Sequence, residues 1–193
     1  MKSFVDFLLK NVYQAQSIAA SYCEEAFDLT CLDVQYHFPD LKKENIEQRI
    51  IQNQNELAVY LFRLGSVLHK YEQNQLKCQI HWLLKSLCAC EIYFNNIIDT
   101  GFYVIHGEGT VIGSRNVIGK GFKIHQGCTI GHKKNGAGGG NRIGDDVTLY
   151  ANSSIIGALN IGSHVIIGGN VMVFEDVKEN EIVTINNEKG NIS

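Results

Sequence analysis

Long apolar runs and basic clusters are both missing from this chain of 193 residues. No apolar run reaches 18 residues, which excludes an ordinary transmembrane helix. Asp6 and Lys10 interrupt the apolar residues near the N-terminus, so we expect no secretory signal there. The net charge is −3 and the Lys and Arg residues are scattered, which argues against a nucleic-acid partner. A hydrophobic content of 45% is typical of a globular protein.

Disulfide and zinc patterns are absent as well. Of six cysteines, only Cys88 and Cys90 lie close together, and they lack the spacing and partner ligands of a zinc site. Without a secretory signal, the cysteines are predicted to be reduced thiols in a cytoplasmic protein. We therefore expect no metal, no nucleic acid and no membrane insertion.

Glycine divides the chain into two unlike parts. Residues 1–100 contain a single glycine, Gly65, whereas residues 101–193 contain the other eighteen. The glycine-poor part has apolar residues at helical spacings of three and four, which predicts packed helices. Those apolar positions are Phe4, Leu8 and Val12, then Leu57, Leu61, Leu64 and Leu68, and finally Leu76, Ile80, Leu83 and Leu87.

The glycine-rich part has a period of six residues. An aliphatic residue recurs every sixth position, with one step of eight and one of thirteen, and glycine often follows it. A fixed hexapeptide period is typical of a parallel β-helix, in which each aliphatic residue points inward and a small neighbour permits the corner. The thirteen positions are Ile92, Ile98, Val104, Ile112, Ile118, Ile124, Ile130, Ile143, Leu149, Ile155, Ile161, Ile167 and Val173.

These hexapeptides resemble the left-handed β-helix acyltransferases, and residues 57–175 resemble the serine acetyltransferase group. The segments that carry the resemblance are AVYLFRLGSVLHK (58–70), EIYFNNIIDTGFYVIHGEGTVIG (91–113), IHQGCTIG (124–131), DDVTLYANSSIIG (146–157) and VIIGGNVMV (165–173). The resemblance implies an α+β chain with a helical domain over 1–90 and a left-handed β-helix over 91–182. A protruding loop is expected at 131–142 and a C-terminal tail at 183–193.

The first interruption of the period lies between Val104 and Ile112, where the step is eight residues instead of six. The two extra residues surround His106, which the resemblance identifies as the general base. A histidine near its ordinary pKa can take the proton from a hydroxyl that attacks a thioester. The family's orienting acid, fifteen residues earlier, corresponds to Glu91. The common aspartate directly before the histidine is Ile105 here.

The second interruption is the glycine-rich segment GHKKNGAGGGNR at 131–142. It is predicted to reach an adjacent subunit, where Lys133 and Lys134 contact cofactor phosphate and His132 and Arg142 bind the acceptor. Cofactor contact, acceptor binding and a purely structural arm remain three open interpretations. The Arg-His pair with which serine acetyltransferases bind their acceptor is replaced by Gly139 and Gly140.

The resemblance also places a cofactor groove along the corners of the β-helix. Acetyl-CoA, as co-substrate, is expected to contact backbone groups of Ala151, Gly168 and Gly169, although corner packing alone also explains small residues there. His125 follows an inward position and is predicted to line the same groove on the acceptor side.

These observations predict an acetyl-CoA-dependent O-acetyltransferase, with L-serine as the best acceptor and O-acetyl-L-serine as product. A sugar hydroxyl of surface-polysaccharide synthesis is the alternative acceptor, favoured by Gly139 and Gly140. A non-catalytic trimeric scaffold is the alternative of another class. We expect a homotrimer, or a dimer of trimers, because β-helices of this group pack around a threefold axis.

Overall fold

Helices come first in the chain and short strands follow. The computed structural model describes residues 1–134 and 139–185, and within these ranges it contains five helices and fourteen strands. The helices are α1 (Lys2–Leu9), α2 (Ala20–His37), α3 (Lys43–Gln52), α4 (Gln54–Lys70) and α5 (Asn74–Cys88). The strands are β1 (Glu91–Ile92), β2 (Ile97–Ile98), β3 (Tyr103–Val104), β4 (Val111–Ile112), β5 (Val117–Ile118), β6 (Lys123–Ile124), β7 (Thr129–Gly131), β8 (Arg142–Ile143), β9 (Thr148–Leu149), β10 (Ser154–Ile156), β11 (Asn160–Ile161), β12 (Ile166–Ile167), β13 (Met172–Val173) and β14 (Ile182–Val183).

The strands wind into a three-sided parallel β-helix. The first sheet has the order β1-β4-β7-β10-β13, the second β2-β5-β8-β11, and the third β3-β6-β9-β12-β14. Each complete coil contributes one strand to each sheet, and the corners between sheets stack into three long edges. We name these the first-to-second, second-to-third and third-to-first edges, after the sheets that they join.

The inward positions of the coils confirm the hexapeptide prediction. All thirteen periodic aliphatic residues are at most 5% exposed. They also stack in register, since Ile112 pairs with Ile130 in the first sheet and Ile124 with Leu149 in the third. Burying such side chains contributes about 1.5–3 kcal/mol each, so the repeated column is the main stabilising feature of the coils.

The structure confirms the predicted helices, except that the first helix is shorter than predicted. The four leucines of the stripe in α4 are all buried, and Ile80 and Leu83 are buried in α5. Helix α1 ends at Leu9, so Val12 lies beyond it instead of extending its apolar face. Among the residues described, no helix has the length and apolar character needed to span a bilayer.

A buried ion pair joins the helices to the coils. The Arg63 guanidinium of α4 donates from Nε and Nη2 to the two oxygens of Asp33 on α2, each at 2.7 Å. It also donates to the carbonyls of Ile98 and Asp99, while Asp33 accepts the backbone N–H groups of Gly101 and Phe102. Burial raises the pKa of the Asp33 carboxyl, and the Arg63 charge opposes that effect. The pair fixes α2 and α4 over the second-to-third edge.

Asparagine side chains form a ladder inside the first-to-second edge. Asn96, Asn116 and Asn141 come from successive coils and are at most 5% exposed. The Asn96 oxygen accepts the backbone N–H of Asn116 at 2.8 Å, and the Asn116 oxygen accepts that of Asn141 at 2.9 Å. The ladder satisfies buried corner amides that would otherwise have no partner. It also continues across the glycine-rich insertion between Asn116 and Asn141.

Candidate active site on the third-to-first edge

Five of the predicted site residues share one edge of the prism. His106, His125, Ala151, Gly168 and Gly169 all follow strands of the third sheet, at the corner that leads to the first sheet. Because successive coils stack directly, residues about twenty positions apart become neighbours along this edge. The structure therefore brings together the predicted base, the predicted acceptor contact and the predicted cofactor groove.

His106 lies exposed at the top of a corner that is longer than the others. The Ile105 N–H still donates to the Ile124 carbonyl at 2.9 Å, as in a regular coil. Contact between the coils resumes when the Glu108 carbonyl accepts the Gly127 N–H at 2.9 Å. The backbone between these two points bulges out of the coil and carries the imidazole into solvent. A side chain held there is accessible to a substrate.

Two further aromatic rings follow His106 along the edge. The His106 and His125 ring centroids are 6.1 Å apart, and His125 stacks on Tyr150 at 4.8 Å with an interplanar angle of 20°. Burial lowers the pKa of His125, and the neighbouring His106 charge lowers it further. Tyr150 was not singled out from the sequence, because an aromatic residue beside a corner gives no periodic signal.

The small residues of this edge leave backbone donors free. Within residues 1–134 and 139–185, no protein acceptor is bonded to the N–H groups of Ala151 and Gly169, although the Ala151 carbonyl accepts the Asn170 N–H at 2.9 Å. A Cβ added to Gly169 would lie 3.3 Å from that carbonyl, closer than ordinary van der Waals contact. Among the described residues, the Ala151 and Gly169 N–H groups of this edge therefore remain without a hydrogen-bond acceptor.

Glu91 has partners other than His106. Its Oε2 accepts a hydrogen bond from Lys85 Nζ at 3.1 Å, and its Oε1 lies 3.3 Å from His81 Nε2. That imidazole nitrogen is buried and has no hydrogen-bond partner in the described structure. Among the described residues of one chain, Glu91 forms no hydrogen bond or ion pair with His106, and its role as orienting acid stays a prediction.

The second interruption lies on a different edge. His132, Lys133, Lys134 and Arg142 belong to the first-to-second edge, at the two ends of the glycine-rich insertion. His132 Nε2 is bonded to the Ser114 carbonyl at 2.8 Å, and its Nδ1 is buried. The two lysines and Arg142 are exposed. The middle of the predicted loop, residues 135–138, lies outside the described residues. Within one chain, these four side chains and His106 occupy separate edges.

Glycine is required at one of the two positions that replace the Arg-His pair. A Cβ on Gly140 would lie 1.8 Å from the Arg115 carbonyl oxygen, whereas one on Gly139 would meet nothing within 4 Å among the described residues. The backbone therefore passes too close to the neighbouring coil for any side chain at 140. Across the described part of the chain, no group of three or more His, Cys, Asp or Glu residues is arranged to hold a metal ion.

Comparisons with known proteins agree on one group of enzymes. No family model matches the chain. The serine acetyltransferase of Helicobacter pylori (strain ATCC 700392 / 26695) is 31% identical over 123 residues, which cover 62% of this chain and 71% of that protein. Soybean serine acetyltransferase apoenzyme superposes with a TM-score of 0.72 at 19% identity, over 97% of this chain and 89% of that one.

A third relative is longer than the present chain. The structure of serine acetyltransferase isoform 3 from Entamoeba histolytica, in complex with cysteine, gives a TM-score of 0.71 at 22% identity. The match covers 89% of this chain but only 61% of that one, so the present chain spans about three-fifths of its length. Other serine acetyltransferase structures with this fold were solved in complex with serine or with CoA.

A left-handed β-helix of hexapeptide coils behind a helical region, with a histidine in a bulged corner, defines an acyltransferase of the hexapeptide-repeat class. Structures below 25% identity support the fold alone, but the Helicobacter relative is similar in sequence as well. The chain belongs to the serine acetyltransferase family. The family and fold predicted from the hexapeptides are both confirmed.

Proposed function

We propose that this protein transfers the acetyl group of acetyl-CoA to the hydroxyl of L-serine, giving O-acetyl-L-serine and free CoA. The observation that carries the proposal is the exposed His106 in a bulged corner. It shares this edge with the N–H groups of Ala151 and Gly169, which have no acceptor among the described residues. Membership of the serine acetyltransferase family supports the choice of reaction.

His106 acts as general base in this reaction. It takes the proton from the acceptor hydroxyl as the oxygen attacks the thioester carbonyl, and a tetrahedral intermediate forms. The C–S bond then breaks, the acetyl ester is released, and the proton passes to the CoA thiolate. A base of this kind contributes typically about 10²–10⁴ in rate.

The small residues of the third-to-first edge are proposed to bind the co-substrate. The N–H groups of Ala151 and Gly169 have no acceptor among the described residues and would donate to carbonyl oxygens of the pantetheine arm. Gly168 adds no side chain to the edge, and Tyr150 offers a half-exposed ring beside Ala151. Exposed Lys133 and Lys134 are proposed to contact the CoA phosphates.

A second chain is proposed to complete the site. His132 and Arg142, the proposed acceptor contacts, lie on another edge from His106 in the same chain. They reach His106 only if an adjacent subunit presents its first-to-second edge to this one. We therefore propose a homotrimer, or a dimer of trimers, and a monomeric mass by light scattering would contradict it. All six cysteines are free thiols, which suits a reducing cytoplasm.

A sugar hydroxyl is the second candidate acceptor, and Gly140 is the observation in its favour. The close approach to the Arg115 carbonyl leaves no room for a side chain at 140. The amino-acid carboxylate therefore needs a cation from elsewhere, for which exposed Arg142 is the candidate in this chain.

The experiment is release of free CoA from acetyl-CoA, followed with a thiol reagent, with L-serine and with a panel of sugars and nucleotide sugars. We expect turnover with L-serine and inhibition of that turnover by L-cysteine. Turnover with a sugar but not with L-serine would show that the acceptor is a sugar. No turnover with any acceptor would contradict the proposed reaction.

A further inference from the structure

The corner that carries His106 is held by a side chain from the helical region. Asn55, in the first turn of α4, donates from Nδ2 to the Ile105 carbonyl at 3.0 Å. Its Oδ1 accepts the Gly107 N–H, also at 3.0 Å. One amide group therefore binds the backbone on both sides of His106. Asn55 is 50 positions from Ile105 and 52 from Gly107 in the chain, so the contact depends on how α4 packs against the first coil.

The two backbone groups that Asn55 binds lie outside the regular ladder of the coils. The ladder runs up to the Ile105 N–H and resumes at the Glu108 carbonyl. Gly107 is buried, and a Cβ there would lie 3.3 Å from Val104 Cγ1 and 3.5 Å from Asn55 Oδ1. A buried backbone N–H left without an acceptor is costly, so the bulge needs a partner of this kind.

Asn55 is not needed as the cap of its own helix. Asn53 is the N-cap residue of α4, and its side chain accepts the Asn55 N–H at 2.9 Å. The Asn55 side chain is thus free for the bulge. An asparagine in the first turn is otherwise unremarkable, which is why the sequence alone does not single it out.

We propose that Asn55 is a positioning residue for His106. The inference depends on the proposed function, in which His106 is the base. Fixing the peptide groups before and after His106 leaves the imidazole only its own side-chain torsions, and this confines the direction in which its nitrogens point. The Gly109 N–H also donates to the Ala89 carbonyl at the end of α5, but among the described residues Asn55 provides the hydrogen bonds to the peptide groups directly before and after His106.

The kinetic test is a double-mutant cycle between Asn55→Ala and His106→Ala. Misplacing a catalytic group by about 1 Å is worth about 10²-fold in rate, so we expect Asn55→Ala to lower kcat about 10- to 100-fold. The KM for each substrate should change less than about 3-fold, because binding groups elsewhere are retained. In the His106→Ala background, Asn55→Ala should cause no further loss. An equal loss in both backgrounds would overturn the proposal.

Two further variants separate positioning from folding. Asn53→Ala removes the cap of α4 but leaves both Asn55 contacts to the bulge, so it should lower thermal stability and retain kcat. Asn55→Asp keeps the acceptor for Gly107 and loses the donor for Ile105, while a negative charge in the first turn favours the helix. We expect intermediate activity with unchanged or higher stability. Full activity of Asn55→Asp and Asn55→Ala together would contradict the proposal.

Hydrogen exchange followed by mass spectrometry gives a readout that does not require activity. The Gly107 amide should exchange about 10-fold or more faster in Asn55→Ala, and at the wild-type rate in Asn53→Ala. Unchanged exchange in Asn55→Ala would show that Asn55 does not hold the bulge. A wild-type protein without transferase activity, or a fully active His106→Ala variant, would instead contradict the proposed function and leave the exchange result to test the Asn55 contact.

Discussion

Both interruptions of the coil repeat depend on asparagine amides, but the amides come from different places. The short bulge at His106 is held by Asn55, which belongs to the helical region. The long insertion starts and ends beside the Asn116–Asn141 step of a ladder that belongs to the coils themselves. The described ends of the long insertion are therefore bonded to the β-helix, whereas the conformation at His106 requires the helices to be in place. This difference links the helical region to the proposed chemistry.

The largest expected effect comes from removing the imidazole of the short bulge. We expect His106→Ala to lower kcat with L-serine about 10²–10⁴-fold, with little change in thermal stability because the side chain is exposed. Steady-state kinetics and a thermal melt measure the two quantities. An unchanged kcat would show that His106 is not the general base, whereas a wild-type protein without turnover would favour the non-catalytic scaffold.

Glu91→Gln is the control for that experiment. The carboxylate binds Lys85 and His81 here, so we expect kcat to fall less than about 3-fold, as for an exposed ion pair removed away from the reacting atoms. A loss of 10²-fold or more would show instead that Glu91 reaches His106 in the assembled enzyme, as the family resemblance implies.

The next effect tests the asparagine ladder beside the long insertion. Asn116→Ala removes the acceptor of the buried Asn141 N–H and a donor to the Gly113 carbonyl. Because each buried group left unpaired costs about 1–3 kcal/mol, we expect the free energy of unfolding to fall by about 2–4 kcal/mol. Chemical denaturation measures it. Asn160→Ala, at an exposed position of the second sheet, removes one exposed hydrogen bond to Asp176 and should change it by less than about 1 kcal/mol. Equal effects at both positions would show that the ladder adds nothing.

The smallest expected effect is on stability, at Gly140, where the chain re-enters the coils after the long insertion. In Gly140→Ala, the added methyl meets the Arg115 carbonyl, so the backbone must move. Overpacking of this kind typically costs about 1–3 kcal/mol. Gly139→Ala is the matched control, since nothing described lies within 4 Å of its Cβ. A differential thermal melt compares the two variants, and equal melting temperatures would show that the close approach at 140 is relaxed in solution.

The coils were predictable because their signal is local and repeated. Each inward residue, from Ile92 to Val173, recurs at a constant interval and contacts its equivalents in the next coil. A pattern repeated thirteen times identifies the architecture, and its two breaks identify where the chain leaves it. His106 was found this way, since a break of two residues marks a bulge whatever the rest of the chain does.

The partners of side chains follow less directly from the sequence. The family resemblance pairs Glu91 with His106, which stays a prediction, and the structure adds Lys85 and His81 of α5 beside the Glu91 carboxylate. Asn55 and Tyr150 had no pattern of their own. Their contacts depend on packing between segments that are far apart in sequence, which spacing does not describe.

By itself, the sequence determined the β-helix, the helical character of the first ninety residues, the two interruptions and the family, because all of these follow from periodicity and local motifs. Only the tertiary structure decided which groups surround His106: the Asn55 amide, the His125 ring and, separately, the ion pairs of Glu91. The physical reason is that hydrogen bonds and ion pairs act over about 3 Å, so their formation depends on how α4 and α5 pack against the first coil.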